Sequence, residues 1–165
     1  MLFVPSLSQQ DPCDDITASF IPENVTRHQD IVPFGYKTIG LAPWVSPNCS
    51  QSFLQSSKRA GTEALVFFLP GSNDDKPPPP GDSTWFLHGE ASWEDENVYS
   101  VYAIPGPAGD TLMKQLSWYS GHGVLPSGQR NISTGLAQGK PGDMRLFTLI
   151  DLGKNAIAVS VHMCS

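Results

Sequence analysis

Charge is scarce in this chain. Asp, Glu, Lys and Arg make up 16% of its 165 residues, with 16 acids against 10 bases and a net charge of −6. That balance argues against binding a phosphate backbone, which needs Lys and Arg gathered in a patch or stripe. No apolar run reaches about 18 residues, so no segment is long enough to cross a bilayer as a helix. The opening MLFVPSL is too short for the apolar region of a secretory signal. Metal and nucleophile signatures are missing as well. His28, His88, His122 and His162 include no pair at the spacing of one helix face, and neither Cys-x-x-Cys nor HExxH occurs. There is no G-x-S-x-G elbow. The acids Asp74, Asp75, Glu94, Asp95 and Glu96 lack the spacing of a calcium loop and read as solvated loop charge. PGPAGDTL, before a helix, offers free N–H groups, but Asp110 in the first turn would repel a phosphate, so packing is the preferred reading. No cofactor, no metal and no catalytic residue are expected.

Cysteine is sparse and odd in number: Cys13, Cys49 and Cys164. Cys49 lies near the start of a predicted helix, where the dipole favours a thiolate. A catalytic thiol also needs a positioned base, and no histidine can be assigned to that task. The other reading is one half of a bridge. Three acceptor tripeptides, NVT at Asn24, NCS at Asn48 and NIS at Asn131, favour a secretory lumen or the extracellular space.

Glycine and proline, 15 of each, predict a loop-rich fold of short elements, in one domain with tails. Residues 1–35 are broken by Pro5, Pro12, Pro22 and Pro33 and read as an N-terminal arm packed on the domain, with a strand around Ile16–Ile21. YKTIGLAP reads as a strand ended by Pro43. SPNCSQSFLQSSKRAG reads as a helix capped by Ser46, Asn48 or Ser50, with Lys58 and Arg59 in the last turn and Gly61 past its end. EALVFFLPG is continuously apolar, the mark of a strand buried on both faces. SNDDKPPPPGDST reads as an unpacked surface loop, partly polyproline II. TWFLHG suggests a short strand, VYSVYAIPG a further strand, and AGDTLMKQLSWYSG a helix with Leu112, Met113, Leu116 and Tyr119 on one face. After a second polar loop, MRLFTLIDLG reads as the last strand. This order predicts an α/β (mixed α+β) domain with helices against a small sheet. Trp85, Phe86, Trp93 and Tyr99, beside the proline tract, form a candidate binding surface, because aromatics at loop tips serve as interface anchors; the alternative is that they cover the core.

TIGLAPW, Cys49, the helix SQSFLQSSKRAG and the strand ALVFFL together resemble the core of the protease-associated (PA) domain. VYSVYAIPGPAGDTLMKQL is similar to that family's later strand, turn and Leu-centred helix, and RLFTLIDL to its closing strand. The likeness spans Tyr36 to Leu152. GLAPWVSPNC and VYAIPGPAGDTLMKQLSWYSG look like the luminal region of fungal PA–transmembrane–RING finger proteins. The resemblance implies a PA-like small sheet or open barrel flanked by helices, over residues 36–152 with an insertion at 72–97 and a tail at 153–165. It implies no catalysis by the domain itself. Its role would be to bind luminal cargo or substrate proteins and peptides for a membrane-anchored RING-type ubiquitin ligase, whose membrane and RING parts are not in this sequence. Such a domain faces an endomembrane lumen or the extracellular side. The alternative is the accessory PA domain of a secreted or vacuolar peptidase.

With no base for Cys49, an oxidising compartment suggested by the sequons, and an arm in need of an anchor, a Cys13–Cys49 disulfide is expected. Asn48, beside it, is then the least favoured of the three glycan acceptors.

Overall fold

The computed structural model describes residues 1–30, 37–71, 74–79, 82–85, 97–120, 147–151 and 156–160. Its centre is a four-stranded, wholly parallel, open sheet flanked by helices, an α/β arrangement. The strands are β1 (Leu2–Phe3), β2 (Ile39–Pro43), β3 (Ala64–Phe68) and β4 (Ser100–Ile104), in that spatial order. Helix α1 (Pro12–Thr17) lies between β1 and β2, α2 (Pro47–Ala60) between β2 and β3, and α3 (Gly106–Tyr119) follows β4. Two further strands, β5 (Phe147–Asp151) and β6 (Ala156–Ser160), pair antiparallel with each other in a separate ribbon.

A parallel sheet must be covered on both faces, and β3 shows why the sequence achieves this. Every residue of Ala64–Phe68 is buried. Registers of β2 with β3 place Gly40 opposite Leu65 and Phe68 opposite Pro43, so alternate side chains go to opposite faces. Phe3, Leu65 and Phe67 share one face, where Ala60 of α2 packs on Phe3 and the ring of Trp85 meets Phe67 edge-on at 5.5 Å. Val66 and Phe68 share the other, where Gly109 of α3 sits directly over Phe68. Leu112, Met113 and Leu116, three and four residues apart, complete that seal with 5% exposure or less.

The predicted ends of α2 are found where local chemistry sets them. Ser46, in extended backbone, accepts from Cys49 N–H and caps the helix; Gly61 takes the left-handed conformation (φ 65°) and returns its N–H to Lys58 and Ser57.

In the arm, Met1–Pro5 is buried, and Leu2–Phe3 is a sheet strand whose neighbour Val4 also bridges to Arg27. Two expectations are corrected. Ile16–Ile21 is not a strand. Asp11 caps a helix at Pro12, and proline at the first helical position suits α1. The proline tract does pack: Pro77 is buried, Pro78 C=O accepts from Trp85 Nε1 at 3.0 Å, and Asp75 C=O accepts from Gly106 N–H at 3.1 Å. A backbone rich in proline has lost donors but kept acceptors, and these acceptors are the ones used. Ala156–Ser160, within residues 153–165, forms β6.

Candidate functional site

The expected bridge is present. Cys13 in α1 and Cys49 in the first turn of α2 are disulfide-bonded, with Cα atoms 5.3 Å apart. Both are buried, at 3% and 1% exposure. Asp11 and Ser46 orient the two helix starts by accepting from the N–H groups of Cys13 and Cys49. The candidate reactive thiol is therefore consumed as a structural corner that ties the arm to α2. Cys164 lies outside the described residues.

The aromatic candidates separate. Trp85 has 3% exposure and is a core residue, set between Phe67 and Trp44 (6.1 Å) on the α2 face, with its indole N–H given to Pro78. It is held there by a 3-10 turn, Ser83–Trp85, whose start Asp82 accepts from both the N–H and the hydroxyl of Thr84. Those two bonds hold the Asp82 carboxyl below its ordinary range. Trp85 is thus no exposed anchor: an indole whose polar end has a partner gains more from burial than from solvent. Tyr99 is partly buried. Its hydroxyl donates to Leu54 C=O of α2 at 2.6 Å and lies 3.2 Å from Asn97 Oδ1. Burial pushes the phenol well above its usual value, opposed by the Ser57 hydroxyl. Phe86 and Trp93 lie outside the described residues.

The glycan acceptors separate too. Asn24 is engaged in the fold: its Nδ2 donates to Ser117 C=O at 3.2 Å and its Oδ1 accepts from Ser117 Oγ at 2.6 Å. Thr26 of the same tripeptide is buried, with Oγ1 2.6 Å from Ser120 Oγ. The motif NVT thus fastens the arm to the C-terminal end of α3, and a sugar on Nδ2 would stand where α3 packs. Asn48, expected to be the least favoured acceptor, is exposed on the first turn of α2. Asn131 lies outside the described residues.

Among the described residues, no group of three or more His, Cys, Asp or Glu could hold a metal ion, and no helix is long and apolar enough to cross a membrane. Among the described residues, the exposed large apolar side chains are Val98 at 95%, Trp118 at 68%, Ile16 at 53% and Phe20 at 36%. An open polar pocket lies where the end of α2 meets the chain after β1. The arrangement defines an α/β domain whose N-terminal segment is built into the sheet and locked by a disulfide. No family model, curated protein or solved structure matches this chain.

Proposed function

We propose that the domain is a non-catalytic binding module on the luminal or extracellular side of a membrane system. In this reading it is PA-like and recruits cargo or substrate proteins for a membrane-anchored RING-type ubiquitin ligase. The observation that carries the reading is the buried Cys13–Cys49 bridge. It fits an oxidising compartment and takes up the thiol that would otherwise be the best nucleophile. The order of β2, α2, β3, β4 and α3 also follows the order of segments that carries the PA resemblance. A glycan on exposed Asn48 belongs to the same reading.

The test is crosslinking capture from a luminal extract, comparing the wild-type chain with Phe86→Ala/Trp93→Ala. Removing all of residues 72–97 is the wrong variant, because it takes Trp85 out of the core. Specific capture that falls in the double variant supports the module. Capture of nothing above a bead control, or an enzymatic activity in the purified chain that survives Phe86→Ala/Trp93→Ala, counts against it.

A further inference from the structure

The last turns of α2, the 3-10 turn His28–Asp30 and the chain leaving β1 surround an open pocket of about 210 Å³, lined by Ser6, His28, Gln29, Ser56, Arg59 and Ala60. Among the described residues that line it, none is a carboxylate. Several neighbouring acceptors already take a hydrogen bond. Ser6 C=O accepts from Ser56 Oγ at 2.5 Å, and Ser57 and Lys58 C=O accept from Thr62 and Gly61 N–H. Asp30, the acid of the 3-10 turn, accepts from Arg27 N–H at 2.7 Å. The polar side chains of the wall are the Arg59 guanidinium, the His28 ring, the Gln29 carboxamide and the hydroxyls of Ser6 and Ser56, each able to donate a hydrogen bond. The His28 ring is steadied against buried Phe3, with centroids 5.8 Å apart.

The two arginines nearest this region differ in one decisive way. Arg27 donates to Pro5 C=O at 3.2 Å and lies in the field of Asp14 and Asp30, so its charge is compensated. Arg59 is exposed and makes no ion pair among the described residues. On a chain of net charge −6, Arg59 is the one permanently charged side chain among those lining the pocket, and it is positive. A single guanidinium matches a monoanion with two in-plane oxygens, which it can take with two parallel N–H bonds. A dianion would leave one charge unmet. The volume is below the ~300 Å³ at which pockets for drug-sized ligands begin, so it suits a carboxylate on a short stem.

We propose that this pocket binds a carboxylate of a peptide partner, either its C terminus or an Asp or Glu side chain, with Arg59 as the charge-bearing contact. The peptide as source rests on the binding-module reading; the carboxylate chemistry rests on the pocket.

The experiment is an NMR titration of the ¹⁵N-labelled chain with sodium acetate, inorganic phosphate and three short acetylated peptides: one with a free C terminus, its amide, and an amide carrying an internal Asp. The expected result is saturable shifts at Ser6, His28, Gln29 and Arg59 with acetate and with either carboxylate-bearing peptide, and none with the plain amide. Arg59→Ala should weaken this by about tenfold or more, as loss of a hydrogen bond to a charged group does, and Arg59→Lys should restore part of it. Arg59 is exposed, so the variant leaves the core intact; an unchanged spectrum away from the pocket verifies this. Equal shifts with the amide, unchanged affinity in Arg59→Ala, or tighter binding of phosphate than of acetate would overturn the proposal. Wild-type capture of a partner by Arg59→Ala would remove the pocket from recognition while leaving the binding-module reading intact.

Discussion

Replacing Gly109 by alanine should destabilise the domain, although the local rule says the opposite. Gly109 lies in the first turn of α3, where alanine is favoured over glycine by about 1 kcal/mol. In the folded chain, a Cβ there would stand 2.1 Å from Cγ, 2.2 Å from Cβ and 2.5 Å from Cδ2 of Phe68. Ordinary contact begins near 3.4 Å, so ring or helix would have to retreat by more than an ångström. Neither has room. Phe68 has 0% exposure and sits in β3, between β2 and β4, while α3 is pinned further along by Leu112, Met113 and Leu116. Overpacking of this kind costs about 1–3 kcal/mol, and a rigid central site falls at the upper end. After the propensity gain, a net loss of about 2 kcal/mol remains. For a domain of this size that lowers Tm by about 6 °C. Urea denaturation followed by tryptophan fluorescence, with the slope m unchanged, is the assay. Gly109→Ala/Phe68→Leu should recover part of the loss, a coupling that propensity alone cannot generate. If Gly109→Ala is as stable as the wild type or more so, the close approach of α3 to β3 is refuted.

Other outcomes follow from the same structure. Cys13→Ser/Cys49→Ser opens a link between residues 36 apart in sequence, and the chain-entropy relation gives a loss of about 4 kcal/mol; thermal melts with and without reductant should differ for the wild type and coincide for the variant. Tyr99 has its phenol raised in the fold, so its contribution is fully present below the unfolded value of about 10 and is lost as pH rises towards the folded value. Urea midpoints of the wild type should therefore fall more steeply above pH 10 than those of Tyr99→Phe, and parallel curves would contradict the burial assigned to the hydroxyl. Asn24→Ala should cost about 1–3 kcal/mol through its two bonds to Ser117, whereas Asn48→Ala should leave the melting curve within about 0.5 kcal/mol of wild type. In a secretory host and an Asn131→Gln background, mobility after endoglycosidase treatment should change in Asn24→Gln and not in Asn48→Gln.

Much of the fold could be read from local pattern. The 3.6-residue repeat of α3, the Ser46 and Gly61 ends of α2 and the unbroken apolar β3 are short-range signals, and each is where pattern places it. Leu2–Phe3 gave no such signal, because two residues carry no period and gain their pairing only from β2. The candidate site was less legible. Trp85 follows a tract that looks wholly solvated, and nothing in STW reveals that Pro78 supplies an acceptor and Phe67 a ring. The pocket was missed because its lining comes from Ser6, His28–Gln29 and Ser56–Ala60, three separate segments none of which carries a motif.

By itself, then, the sequence determined α2, α3, the buried central strand and the α/β class, and it led to the pairing of Cys13 with Cys49. The elements rest on periodicity and caps; the pairing rests on the missing base for Cys49, the acceptor tripeptides and an arm in need of an anchor. Tertiary structure alone decided which polar and aromatic residues are free to act. It placed Asn24 and Trp85 inside, left Asn48 and Arg59 outside, and set Gly109 against Phe68. Burial, and the partner a buried polar group finds, belong to contacts between distant segments, and a local pattern holds no record of them.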